Sequence, residues 1–193
     1  MIIERPESKQ RMPANAKKVF SGVIFDVFQW EQKGYDGKIK IFEKLRRPDT
    51  VIIIPITEDG RIIITEQEQP GKKPYIGSVG GRVDPGESVL AAAERELLEE
   101  TGYVAKEWVL FDAVQPASKI EWAVFTFIAK GCKKVTEQDL DGAEKIALRF
   151  CDFNTFFASV VSGEFSEPEM QLRFLEAKLH KQKLTDLKNI FLK

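Results

Sequence analysis

The sequence predicts an α/β fold, a mixed β-sheet with helices on both faces, preceded by a small antiparallel β-hairpin. Three observations carry this. Runs of β-branched and aromatic residues are separated by turn signals, of which Asp59-Gly60 is the clearest. Val51-Ile52-Ile53-Ile54 is apolar on both faces, as a strand buried at the centre of a sheet must be. Stretches of helical character near residues 88–101, 155–161 and after Pro168 are interleaved with the strands.

Residues 1–17 are polar, carry two prolines, and are expected to form a loose arm. Val19 to Trp30 reads as a strand, Gly34-Tyr35-Asp36-Gly37 as a turn, and Lys38 to Glu43, alternating polar and apolar, as the partner strand. This hairpin unit, residues 18–47, must pack on the main domain or on a second subunit, because two strands alone are marginal. The main domain is expected over residues 48–193. It opens with strands at Val51 to Ile56 and Arg61 to Thr65, followed by a polar loop from Gln67 to Pro74. A helix from about Ser88 stops at Gly102 and uses Leu90, Leu97 and Leu98 as its anchor to the sheet. Strands follow near Trp108 to Val114, Trp122 to Ala129 and Lys145 to Phe150. A loop holding Glu137, Asp139 and Asp141 precedes the last of them. Thr155 to Val161 forms an aromatic helix capped by Asp152 or Asn154 and stopped by Gly163. Ser166-Glu167-Pro168-Glu169 is a capping box opening a last helix that carries Leu172, Leu175 and Leu179.

Composition excludes several classes of function. The chain has 193 residues, 43% hydrophobic and 31% charged, which suits a globular protein. A net charge of −1 gives no electrostatic case for nucleic acid or an anionic membrane. The only histidine is His180, so zinc sites and Ser-His-Asp triads have little to work with. Cys132 and Cys151 stand in apolar, strand-like contexts and read as free thiols. No apolar signal-peptide core opens the chain, and no run of roughly 18 apolar residues occurs. A cytoplasmic protein is the expectation.

The helix near 88–101 is unusual in its charge. Glu99 and Glu100 lie three and four positions beyond Glu96, so the three carboxylates fall within roughly 100° of arc. Glu-rich helices are most often solvated faces. Here no lysine balances the charge, and like charges at these spacings repel. A hard divalent cation such as Mg²⁺, which takes carboxylate and phosphate oxygens, would offset that repulsion. The Gly-rich stretch Gly77-Ser78-Val79-Gly80-Gly81 ahead of the helix lets backbone approach a ligand closely.

Gly81, Glu87, Arg95-Glu96-Leu97, Glu99-Glu100 and Gly102 stand at the spacing of the Nudix box, and the stretch closely resembles it. Only Tyr103 departs, where the box has an aliphatic residue. The resemblance implies a Nudix-type α/β/α sandwich and hydrolysis of a nucleoside diphosphate linked to another group, with Mg²⁺ or Mn²⁺. It implies Glu96, Glu99 and Glu100 as metal ligands, backbone groups of Gly81 toward metal or phosphate, and Arg95 and Glu87 holding the ligands in place.

More weakly, the chain looks like the ADP-ribose or ADP-sugar pyrophosphatase branch. A hairpin unit precedes the box, and Gln67-Glu68-Gln69-Pro70 resembles that branch's Gln-Tyr-Arg-Pro segment. Pro116 follows the box at nearly the branch's spacing, and Gly163-Glu164-Phe165 precedes a terminal helix. Gln69 departs from the branch's arginine, and Gly77 to Gly81 departs from its Glu-Leu-Pro-Ala-Gly. The branch implies Glu144 as a loop glutamate acting as base or extra metal contact. Substrate contacts are expected from Gln69 and Arg82, with Phe28, Trp30 or Tyr35 against the base. It also implies a homodimer exchanging its N-terminal unit, and a nucleotide-sugar or dinucleotide substrate. Nucleoside triphosphate hydrolysis and non-catalytic nucleotide sensing remain as alternatives.

Overall fold

The computed structural model of the chain describes residues 3–140, 142 and 144–192, so Asp141 lies outside the described residues. In chain order the first strands are β1 (Lys17–Ser21), β2 (Asp26–Lys33), β3 (Ile39–Arg46), β4 (Thr50–Thr57), β5 (Ile62–Glu68), β6 (Tyr75–Gly77) and β7 (Val79–Arg82). Helix α1 (Val89–Thr101) follows, then β8 (Tyr103–Val104), β9 (Glu107–Val114), β10 (Ile120–Glu121), β11 (Val124–Lys134) and β12 (Lys145–Cys151). The chain closes with α2 (Phe153–Ser162), α3 (Pro168–Leu179) and α4 (Lys181–Leu192).

β1, β2 and β3 form an antiparallel meander. The run from Val19 to Trp30, expected to be one strand, is two. The Gly22 amide donates to the Phe25 carbonyl at 2.9 Å, and Ser21 Oγ donates to Asp26 at 2.5 Å, turning the chain back on itself. β10 then adds to β3 in parallel, so the main domain supplies the fourth strand of the small sheet.

The main sheet runs β12-β5-β4-β11-β8, with β6 on β5, β7 on β4 and β9 on β11. β4 and β11 pair in parallel and the other pairs are antiparallel, so the sheet is mixed as expected. Successive side chains of a strand point to opposite faces, and β4 fills both. Val51 and Ile53 pack with Phe125, Phe127 and the α1 residues Ala92, Ala93 and Leu97. Ile54 and Ile56 pack with Phe156 of α2, Phe174 of α3 and Phe191 of α4. Helices therefore cover both faces.

Ser88 caps α1 by accepting from the Ala91 amide, and Gly102 ends it in the left-handed conformation with φ of 74°. Two helix faces differ from expectation. The small Ala92 and Ala93 bring α1 close to the sheet, and Leu98 turns outward. On α3 the buried residues are Met170, Phe174 and Ala177, while Leu172, Leu175 and Leu179 face out. The last helix is two helices, because His180 takes an extended conformation (φ −128°, ψ 111°) between α3 and α4.

The arm expected to be loose is fastened. Arg5 makes a two-pronged ion pair with Asp49 at 2.7 and 2.9 Å and reaches Glu121 at 2.8 Å. Lys44 is buried and donates to Ser8 Oγ at 2.5 Å, to the Gln10 carbonyl, and to Glu121 at 2.6 Å. A buried ammonium is tolerated when all its protons are bonded, and here the arm supplies two of the three acceptors. Among the described residues, no helix is long and apolar enough to cross a membrane.

Candidate active site

β7 lies beside β4 with Gly81 opposite Val51, and the chain then turns through Asp84 into α1. This turn folds the acidic side of α1 onto the β7 backbone. A Cβ on Gly81 would stand 2.3 Å from Glu96 Oε1, so only glycine lets strand and carboxylate meet here. One residue earlier, the Gly80 amide donates to Glu100 Oε2 at 3.0 Å.

Arg95 organises the face. Its Nε and Nη2 donate to the two oxygens of Glu87, each at 3.1 Å. Nη2 also donates to the Arg82 carbonyl at 3.0 Å, and Nη1 donates to Glu96 at 2.8 Å and Glu99 at 3.0 Å. One rigid guanidinium thus fixes three carboxylates. The contact with Arg95 holds the Glu87 carboxyl below the usual carboxylate range. Arg95, bonded chiefly by Glu87, is held still more firmly in its charged form.

The other carboxylates shift the opposite way. Glu100 is pushed up to about 8, first by burial and then by the charges of Glu96, Glu144 and Glu99; the Gly80 amide only partly offsets this. Burial also raises Glu96, against the pull of Arg95. Crowded, poorly solvated carboxylates of this kind are relieved by a cation. The donor set is oxygen alone, which fits a hard divalent ion. Among the described residues, no three acidic, His or Cys side chains converge in a ready metal cage. Arg95 Nη1 engages one oxygen each of Glu96 and Glu99.

Glu144 is brought to this face by the loop before β12. Gln138 Nε2 ties the loop to α1 and β12, donating to the Glu100 carbonyl at 2.6 Å and the Ile146 carbonyl at 3.1 Å. Gln69 Nε2 donates to Glu144 Oε1 at 3.0 Å. Two clefts meet here. One, about 590 Å³, is lined by Gly81, Arg82, Arg95, Glu96, Glu99 and Asp139. The other, about 770 Å³, is lined by Arg47, Gln69, Tyr75, Ser78, Trp122 and Glu167. Gly80, Gly81, Glu100 and Glu144 border both, so the acidic face opens into a roomier groove.

The fold therefore gathers Gly81, Arg82, Arg95, Glu96, Glu99, Glu100, Glu144 and Gln69 around one groove, with Glu87 behind Arg95. It does not bring Phe28 or Trp30 there within this chain. Phe28 lies under Arg46, whose guanidinium is 4.5 Å from its ring centre. Trp30 is buried against Phe42 in the small sheet, and Tyr35 is exposed. The aromatic side chains in the groove are Trp122 and Tyr75. Trp122 Nε1 donates to Thr50 Oγ1 at 2.9 Å, and the Arg47 guanidinium stacks 4.7 Å from the Trp122 ring centre. Sequence reasoning missed Arg47, Trp122 and Glu167. No spacing links them, because strand pairing and the fold of α3 bring them together. The capping box expected of Ser166 and Glu169 does not form: the N-cap of α3 is Glu167, which makes no side-chain cap bond, and Ser166 Oγ donates to Glu167 instead.

A family model described as the NUDIX domain matches residues 46–169. The chain is 31% identical over 136 residues to the methanol dehydrogenase activator of Bacillus methanolicus, across 68% of this chain and 73% of the relative. It is 32% identical over 92 residues to an ADP-ribose pyrophosphatase of Bacillus subtilis (strain 168), across 47% of this chain and 50% of the relative. It is 34% identical over 95 residues to the ADP compounds hydrolase NudE of Escherichia coli (strain K12), across 48% and 51%. The chain thus spans about half the length of these last two relatives. A crystal structure of an ADP compounds hydrolase superposes with a TM-score of 0.67 at 22% identity, over 92% of this chain and 98% of that one; the likeness is one of fold.

Proposed function

The chain belongs to the Nudix family, and on that premise we propose that it hydrolyses the pyrophosphate bond of a nucleoside diphosphate joined to a sugar, with ADP-ribose the first substrate to try. The carrying observation is the junction of the α1 acidic face with Glu144 and a groove large enough for a nucleotide. Two relatives with ADP compounds in their names support the choice of adenine.

Glu96, Glu99 and Glu100 would hold Mg²⁺ or Mn²⁺, with Gly81 beside them. The ion would neutralise the phosphates and acidify the attacking water. Arg95 would yield its Nη1 bonds to Glu96 and Glu99 while Nε and Nη2 keep Glu87. The frame of the site then survives the exchange. Glu144, which borders both clefts and whose charge bears on Glu96 and Glu100, would accept the proton of the attacking water, aimed by Gln69. Arg82 lies where an incoming phosphate or sugar would pass. The nucleoside would occupy the larger groove beside Trp122 and Tyr75.

The same reading includes a homodimer formed through the small sheet. The free thiols, Cys132 buried and Cys151 half-buried, suit a reducing, cytoplasmic setting. The test is incubation with ADP-ribose and Mg²⁺, wild type beside Glu99→Gln, with products separated chromatographically. AMP and ribose 5-phosphate, lost in the variant, are expected. Intact ADP-ribose would overturn the substrate. Pyrophosphate release from nucleoside triphosphates alone would overturn the reaction class.

A further inference from the structure

Among the described residues, three buried polar atoms without a hydrogen-bond partner belong to residues lining the larger groove: Arg47 Nε, Ser78 Oγ and Glu167 Oε2. Unmet polar groups are costly, and where they line an open groove water or a ligand must meet them. Glu167 is the most telling. It stands at the N-cap of α3 and makes no cap bond. Instead Oε1 reaches across to accept from the Ser78 amide at 3.1 Å and from Ser166 Oγ at 2.9 Å. One oxygen is thus anchored and the other is left open. Burial holds this carboxyl above the usual carboxylate range, and among the described residues no lysine or arginine pairs with it.

Ser78 is three residues from Gly81, about 10 Å along an extended chain. A pyrophosphate lying against Gly81 and the acidic face therefore places its attached sugar, the next group along, toward Ser78 and Glu167. We infer that Glu167, with Ser78, receives the hydroxyls of a substrate ribose and makes the enzyme select sugars with a free vicinal diol. The open carboxyl oxygen has two lone pairs for two neighbouring hydroxyls, and Ser78 Oγ can complete the network by donating or accepting. A site built to bond hydroxyls rejects an analogue lacking one, because its own polar groups then stay unpaired. This inference rests on the reading above only for where the pyrophosphate lies.

The test is calorimetric binding in Ca²⁺, with chromatography confirming that the ligands stay intact. The probes are ADP-ribose and two analogues, one lacking the 2′-hydroxyl of the adenosine ribose, the other lacking the 2-hydroxyl of the distal ribose. Wild type should bind ADP-ribose about tenfold or more tightly than one analogue, and that analogue identifies the ribose. Glu167→Gln can keep the anchored acceptor and puts an amide donor at the open position; it should lose the preference. Ser78→Ala, which leaves the backbone anchor intact, should weaken the preference and serves if the first variant fails to fold. Equal wild-type affinities, no binding of any probe, or a preference unchanged in both variants would overturn the inference. Sugar-selective binding without AMP release in Mg²⁺ would sink the hydrolase reading and leave this one standing. Cleavage without sugar preference would do the reverse.

Discussion

Gln69 Nε2 donates to Glu144 Oε1 across 3.0 Å, joining residues 75 positions apart. A neutral donor thus aims the loop glutamate without neutralising its charge. Gln69→Leu should lower kcat by roughly tenfold to a hundredfold through misplacement of Glu144. Glu144→Gln should lower it at least as far. Neither should change the melting temperature by more than a few degrees. Unchanged turnover in Glu144→Gln would remove that residue from the mechanism.

Gly81→Ala should be disproportionately damaging for the gain of one methyl. The new Cβ would stand 2.3 Å from Glu96 Oε1, so the Glu96 carboxylate must swing away from β7 and leave its bond to Arg95. Because the end of a flexible side chain can give way, denaturant unfolding should show little loss of stability, whereas Mg²⁺-dependent activity should fall. A variant with wild-type activity would mean the strand and helix are looser than this contact implies.

Metal-free stability should depend on pH through Glu100. Its carboxyl is pushed up to about 8 from 4.5 by burial and neighbouring charge. A pKa raised in the folded state favours folding at low pH, and that advantage is lost as pH climbs from the unfolded value through about 8. In EDTA, the melting temperature of wild type should fall across this window more steeply than that of Glu100→Gln. Mg²⁺ should flatten the wild-type curve. Parallel curves for the two proteins in EDTA would refute the assignment.

The small sheet leaves Phe20, Ile39 and Ile41 each about 60% exposed, more apolar surface than a free sheet face normally shows water. If this face joins two subunits, light scattering should give twice 22.0 kDa for wild type. Ile41→Glu should give a monomer. A wild-type monomer at micromolar concentration would exclude the dimer.

The parts of the fold and site that were legible from sequence are those fixed by local chemistry. The i, i+3, i+4 spacing of Glu96, Glu99 and Glu100, the helix start near Ser88 with its stop at Gly102, and the Asp59-Gly60 turn are short-range, and all three are found in the structure. What escaped depends on long-range pairing. β8 and β10 are two residues each, too short for any periodicity, yet β10 completes the small sheet. The break between β1 and β2 lies in a run whose apolar residues Val23 and Ile24 suggested continuity, although both are exposed. Phe28 and Trp30 were natural candidates for base contacts because they are aromatic, whereas Trp122 reaches the groove only through the pairing of β11 with β4. Glu167 is an intervening residue of the expected Ser166–Glu169 capping box, and only the fold shows its carboxylate spent on Ser78.

The fastening of the N-terminal arm has a practical consequence. Arg5 bonds Glu121 and Asp49, and Asp49 in turn accepts from the Ala123 amide at 2.8 Å. Trp122, the indole of the groove, is therefore gripped on both sides by carboxylates that one arm residue holds. A purification tag or a trimmed start that dislodges Arg5 would reach the ligand through a single peptide bond. It would show as altered nucleotide affinity together with a lowered melting temperature, because the arm also supplies two acceptors of the buried Lys44, and could be mistaken for a change in substrate preference.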